Sequence, residues 1–398
     1  MRVLHVAELR LDHPFEGLAR IPASIVDAVR DASLDAFDDL IEAALDERVD
    51  AVLVTGGLYR GPEHGLRAQR RVSIATERLA RHGIPFVVVR HAGDAEPDAW
   101  TAIGSWPSSF VSVGPDEVHT IPLHRDGRTA GTIVAIGADR LDDADAIERA
   151  LADVDGPRLA ATVTNDADRL PDVAVDGWAL GGRRDIHVLR HPARERPWIV
   201  WAGTHQARAT DADARGPKGA LLHDTDTVAL LELDRVRVVG LTIDVTPLRD
   251  LDELADRLAR EADDLREVRR HRSIVLRAEL VGTGPVHRAL ADGALGDILA
   301  DLGDRAGTDR PFLWWERIAD RTQPGVDLAA IRRRADLAAD LLLVTEDALG
   351  ADGGRSLAAQ WMTGFPRDLD PDGADPTDPP PERWQEALLV ALDTVTGG

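Results

Sequence analysis

The chain has 398 residues, with 47 Lys and Arg against 70 Asp and Glu, a net charge of -23, no cysteine and 44% hydrophobic residues. This is apolar enough for the cores of two or three domains and excludes disorder throughout, while the missing cysteines exclude disulfides, thiolate zinc sites and cysteine nucleophiles. The acidic balance excludes wrapping of nucleic acid over a broad surface, so any DNA contact is expected to be local.

In chain order, Arg2 to Val6 is predicted as a strand and Ala23 to Arg48 as a helix with an apolar face of Leu34, Phe37, Ile41, Ala44 and Leu45. Strand Asp50 to Thr55, helix Leu66 to His82 and strand Pro85 to Arg90 complete a βαβαβ order, which implies a parallel sheet flanked by helices. Closely spaced strands follow at Phe110 to Val113, Val118 to Leu123, Thr129 to Ile136, Leu159 to Thr164, Trp178 to Leu180 and Ile199 to Trp201, then hairpin-like pieces from Gly219 to Ile243. Helix Leu251 to Arg270, strand Ser273 to Val281, helices Pro285 to Ala291 and Leu295 to Asp304, and strand Phe312 to Ile318 read as a small α+β unit. Trp314 and Trp315, adjacent on that strand, are expected on opposite faces. Asp327 to Leu349 is predicted as one helix, and Pro366 to Pro381 as a Pro and Asp linker. A final helix carries Trp384, Leu388, Leu392 and Val395 on one face, suited either to a partner or to packing on its own domain.

Early charges in the N-terminal segment and the absence of a long uncharged apolar window lead to the expectation of a cytoplasmic protein. Chemistry in α/β domains collects at strand exits, where loops converge above the sheet. These exits are HVAELRLD (Glu8, Arg10, Asp12), VTGGLYRG (Gly57, Tyr59, Arg60), VVVRHAGD (His91, Gly93, Asp94), TVTNDAD (Asn165), WALGGRR (Gly182, Arg183, Arg184) and WAGTHQAR (Thr204, His205, Gln206, Arg208). Asp12 and His13 suit a turn cap better than a metal, and Gly56-Gly57 lacks the frame of a phosphate loop. The sequence contains neither a G-x-S-x-G nucleophile frame nor a dinucleotide fingerprint.

Taken in order, these six frames and the later GPKGALL (Gly216 to Leu222) resemble the calcineurin-like metallophosphoesterases, most closely the SbcD-type DNA repair exonucleases of the YhaO-like branch. The resemblance extends over roughly residues 1 to 345, through PVHRAL (Pro285 to Leu290) and DLAAIRRRADLAADLL. It implies a two-sheet α/β sandwich flanked by helices, a small α+β capping domain and C-terminal helices. The expected boundaries are 1–240, 241–325, a helical segment 326–365, the linker 366–381 and a C-terminal helix 382–398.

The family's two metal ions, usually manganese, need a cage of Asp, His and Asn. By the resemblance, its positions fall here on Glu8, Arg10, Gly57, Ala92, Gly93, Val163, Gly182 and Arg184. Only Glu8 retains a carboxylate among them, with Asp94 as a nearby supporting acid, and a guanidinium cannot become a metal ligand. Three readings of the pocket stay open: an ion-pair plug in which Arg10 and Arg184 pair with Glu8 or Asp94; a metal-free phosphate clamp of Arg10, His91, Arg183, Arg184 and His205; and a relocated metal site of Glu8, His91, Asp94 and His205. His205 is expected to be a partly exposed imidazole. The expectation for function is an SbcD-like homologue that has lost two-metal hydrolysis and serves as a scaffold or DNA-end or ATPase-binding subunit, with no cofactor. The alternatives are an active manganese- or magnesium-dependent exonuclease and a metal-free phosphate or nucleic-acid binder. The expected partners are a second copy in a homodimer, an SbcC-like SMC-type ATPase bound through the C-terminal helices, and DNA in local contact.

Overall fold

The computed structural model describes residues 1–18, 21–59, 65–94, 105–152, 154–191, 196–224, 227–268, 271–305, 311–352 and 381–396. Arg60 of the second strand exit, and the linker expected over 366–381 apart from Pro381, lie outside the described residues. The chain divides into two compact units, one of Met1–Val239, Arg270–Leu276 and Gly307–Glu316, the other of Gly240–Arg269, Arg277–Ala306 and Arg317–Gly398.

The first unit begins with β1 (Arg2–Ala7), α1 (Val26–Asp46), β2 (Ala51–Thr55), α2 (Leu66–Arg81), β3 (Phe86–Val89) and β4 (Phe110–Val113). It continues through β5 (Val118–Arg125), β6 (Arg128–Ile136), α3 (Ala144–Leu151), β7 (Arg158–Val163), β8 (Gly177–Gly181), β9 (His187–Arg190), β10 (Trp198–Trp201), β11 (Gly219–Asp224) and β12 (Thr227–Glu232). Two six-stranded sheets result, with orders β12-β11-β1-β2-β3-β4 and β5-β6-β7-β8-β10-β9. The strands β1 to β4 run parallel, as do β6, β7, β8 and β10. This is a mixed α/β architecture consistent with a metallophosphoesterase fold.

Near-continuous apolar strands follow from burial on both faces. On β1, Val3 and Ala7 enter the layer between the sheets with Leu53, Val87, Ile133, Ala161 and Val200, while Leu4 and Val6 face the helical layer with Phe37, Leu40 and Val72. Each fully buried Val, Leu or Phe contributes roughly 1.5 to 3 kcal/mol of burial free energy. On α1 the buried residues Val29, Ala32, Phe37, Leu40, Ile41 and Ala44 trace the helical repeat. Because the parallel strands share a direction, their carboxyl ends bring Glu8, Gly57 and His91 to one edge of the first sheet, and Gly182 leaves β8 at the corresponding edge of the second.

A three-stranded sheet, β13 (Val236–Asp244), β14 (Ser273–Thr283) and β15 (Leu313–Gln323), has strands through which the division between the units passes. Trp314 and Trp315 on β15 are both buried, at 8% and 4% exposure, with Trp314 in a cluster with Ile25, Val29, Val236 and Phe312. The second unit holds α4 (Leu251–Val268), α5 (Val286–Ala289), α6 (Leu295–Arg305), α7 (Leu328–Arg332), α8 (Leu337–Asp352) and α9 (Pro381–Thr396). The single helix expected over 327–349 is thus two. Asp327 Oδ1 accepts from Ala330 N at 2.9 Å and Asp336 Oδ1 from Ala339 N at 3.3 Å, so each aspartate starts its own helix. On α9, Leu388 and Leu392 are buried against Ile331, Ala338 and Leu342, whereas Val395 stays 42% exposed. Half of the apolar stripe therefore packs within its own unit. No helix among the described residues is long and apolar enough to cross a membrane.

Candidate functional site

A cleft of ≈ 480 Å³ opens at the strand exits of the first unit, lined by Glu8, Arg10, His13, Glu16, His91, Gly182, Arg184, Thr204 and Arg208 together with Ala207, Ala209 and Ala214. Its floor is the exit of β1. Four main-chain bonds hold that segment: Ala7 N to Gly203 O, Glu8 N to Thr55 O, Arg10 N to Gly57 O and Leu11 N to Leu58 O. Arg208 adds two more, donating from Nη1 to Leu9 O at 2.6 Å and from Nη2 to Glu8 O at 2.9 Å. Under this clamp Glu8 and Arg10 adopt left-handed backbone, φ 49° and 38°, a conformation that costs a non-glycine residue roughly 1 to 2 kcal/mol.

Arg10 Nε donates to Glu8 Oε2 at 2.8 Å, with the Glu8 side chain 8% exposed and that of Arg10 42%. The pairing expected between these two residues is present. Arg184 instead meets Asp211 at 2.9 Å and Asp213 at 3.4 Å, aspartates of the segment between β10 and β11, and makes no described ion pair with Glu8 or Asp94. Asp94 Oδ2 accepts from His91 N at 2.7 Å. Burial pushes the Asp94 carboxyl above the ordinary range, and Glu8 adds to the shift against the bond from His91. Burial, with Arg10 and Arg184 nearby, pushes the Arg208 guanidinium down to about 10.

Two glycines define what the walls accept. A Cβ at Gly57 would lie 2.9 Å from Asp94 Oδ1 and 3.5 Å from Arg10 Cγ, so those side chains occupy the space a larger residue would need. Gly182 has φ +93°, and a Cβ there would meet Thr164 C at 3.1 Å, so any side chain is strained in backbone and in space. Among the described residues no group of three or more His, Asp or Glu is arranged to hold a metal ion.

Of the residues singled out from sequence, Glu8, Arg10, His91, Gly182 and Arg184 line the cleft, and Gly57 and Asp94 lie against its Arg10 wall. Ala92 and Gly93 are exposed on the β3 exit, and Gly93 N donates to His91 Nδ1 at 3.2 Å. Val163 is buried in the inter-sheet layer. Arg183 pairs with Asp185 at 3.1 Å and lies over the Trp201 ring, away from the cleft lining. His205 corrects the expectation of an exposed imidazole. It is 0% exposed and bonds Ser33 O through Nε2 at 2.8 Å, and burial first, then Arg208, holds its pKa down at about 3. Its ring is sealed under α1 and does not line the cleft.

Arg208, named at a strand exit, and Lys218, within GPKGALL, are contributors to which the sequence assigned no role. Lys218, the sole lysine of the chain, is 2% exposed and donates from Nζ to Arg184 O at 3.1 Å and Asp213 O at 2.6 Å, fastening the two loops that flank Arg184. Burial pushes its amine pKa down, against the pull of Asp185 and Asp213.

Residues 240–323 match the family described as metallophosphoesterase YhaO, middle domain. The chain is also 27% identical over 349 residues to the uncharacterized metallophosphoesterase YhaO of Bacillus subtilis, an alignment that takes in 82% of this chain and 83% of that protein. Over most of its length the chain is thus similar to a metallophosphoesterase. A shorter likeness, 28% over 199 residues, is to the DNA double-strand break repair protein Mre11 of Haloferax volcanii, covering 46% of this chain and 42% of that one.

Proposed function

We propose that this chain is a metallophosphoesterase-fold protein that has lost the two-metal centre and works as a non-catalytic scaffold in DNA-end processing. The observation that carries the reading is that Gly57 supplies no carboxylate and has the Arg10 side chain against it. The family's bridging carboxylate is expected there, but Asp94 Oδ1 lies 2.9 Å from where its Cβ would stand, and Arg10 brings a cation to the same wall. A divalent ion beside Arg10 is opposed by that fixed charge, which cannot be relieved by losing a proton. Without a bridging carboxylate two cations are not held at the separation that two-metal phosphoryl chemistry needs.

The fold meanwhile retains its sheets, strand exits and C-terminal helices, which are the parts a partner recognises. The proposed partner is an SMC-type ATPase bound through the C-terminal helices, where Leu343, Val344 and Val390 remain 57%, 66% and 53% exposed. Homodimerisation and local contact with DNA belong to the same proposal. It is tested by incubating the purified protein with manganese and either linear DNA or a bis-aryl phosphodiester. The expected result is no turnover above the level of a Glu8→Ala variant; metal-dependent cleavage by the parent, lost in that variant, overturns it.

A further inference from the structure

We propose that the cleft is a metal-free site for a single phosphate-type oxyanion, contacted by Arg10 and His91 above the Arg208 floor. This rests on the reading that no metal pair occupies the cleft, and names what the same residues bind instead. Arg10 uses Nε on Glu8, while its two amino groups make no described hydrogen bond. His91 accepts from Gly93 N at Nδ1, which leaves the proton of the neutral ring on Nε2 as a second donor. Arg208 is a half-buried cation whose described hydrogen bonds go to the carbonyls of Leu9 and Glu8, with the carboxylates of Glu8 and Asp12 and the guanidinium groups of Arg10 and Arg184 acting on it from around the cleft. A guanidinium crowded by Arg10 and Arg184 adds to a local positive field that an anion in the cleft would relieve.

The backbone supplies an independent observation. Glu8 and Arg10 are held in left-handed conformation by bonds from both sides, and strain of this kind persists where the surroundings over-determine a functional geometry. Both residues line the same cleft. The acids define the ligand further. Glu8 and Glu16 share the lining, and Asp211 and Asp213 already engage Arg184, so an extended polyanion meets repulsion where one phosphoryl group does not.

The test is titration calorimetry of the full chain with inorganic phosphate, at low salt and in excess chelator. One site per chain is expected, weakened about tenfold or more by Arg10→Gln and by His91→Ala. Arg183→Gln, which removes a guanidinium placed over Trp201, should leave binding unchanged. An oligonucleotide with a 5′-phosphate should compete with phosphate if nucleic-acid ends supply the group, and free phosphate alone should bind if they do not. Saturable binding of a 5′-hydroxyl oligonucleotide as tight as that of its 5′-phosphate form, displaced by phosphate, overturns the proposal. So does the absence of binding at about 10 mM phosphate, or equal affinity in the Arg10 and His91 variants. Failure in chelator with no uptake of manganese sinks this proposal alone, whereas stoichiometric manganese uptake sinks the metal-free reading beneath it.

Discussion

The cleft and the layer between the two sheets both hold polar side chains close to β1, but they are satisfied in opposite ways. Between the sheets, His5 Nδ1 meets His223 Nε2 at 3.2 Å, His5 Nε2 meets Thr55 Oγ1 at 2.8 Å, and His223 stacks on Trp198 with centroids 4.8 Å apart. Burial lowers the His5 pKa well below its ordinary value and His223 to about 3, so these groups stay neutral. In the cleft, charge is retained and matched: Glu8 with Arg10, Arg184 with Asp211 and Asp213, Arg208 with carbonyls. Between the sheets the chain keeps these groups neutral, and in the cleft, where solvent still reaches, it keeps charge matched by acids or carbonyls.

Acid should break the interior first. His205 and His223 each have a folded pKa of about 3 against an unfolded value of 6.5, so the unfolded chain binds more protons below pH 6.5. Stability is therefore full above that pH and falls as pH drops toward 3, by about 5 kcal/mol from these two groups between pH 6.5 and about pH 4.5. Urea unfolding at several pH values measures this, and His205→Gln should flatten the slope by about 1.4 kcal/mol per pH unit. An unchanged slope would mean that the interior histidines are not what acid titrates.

The walls of the cleft come next. Gly57→Asp forces a side chain into the space of Asp94 and adds a third acid beside Glu8, at an expected cost of about 2 kcal/mol with no gain of manganese binding. A stable variant that takes up manganese contradicts the filled-wall account. Arg10→Ala leaves the buried Glu8 carboxylate unpaired and should cost about 1 kcal/mol, recovered in part by adding Glu8→Gln; a double-mutant cycle reads the coupling. At the surface, Arg78→Ala removes the ion pair to Glu42 between α1 and α2 and should change stability by less than about 0.5 kcal/mol. A larger loss there would blur the distinction between paired charge in the cleft and paired charge elsewhere.

The sandwich was legible because its central strands are apolar on both faces and its long helices repeat every three to four residues, as in α1. What escaped detection was short or distant. The eight-residue α3 depends on an Asp143 cap, and β9 is an exposed four-residue edge strand whose His and Arg hide its pattern. The break between α7 and α8 turns on one capping aspartate inside an otherwise continuous helical repeat. For the site, the strand exits located Glu8, Arg10, His91 and Arg184, since parallel strands bring their ends together. Arg208 was placed at a strand exit, but its clamping role was not legible because its acceptors are carbonyls 199 and 200 residues earlier in the chain. His205 misled because its neighbours in sequence are polar, while its burial comes from Ser33 on α1.

Metal content tests the central claim most directly. Protein purified without chelator, and again after excess manganese and desalting, is analysed for bound metal. The account predicts less than about 0.1 ion per chain in both samples, because two-metal chemistry requires nearly full occupancy. Between about one and two ions per chain, lost in Glu8→Ala, would contradict it and return the cleft to the hydrolases.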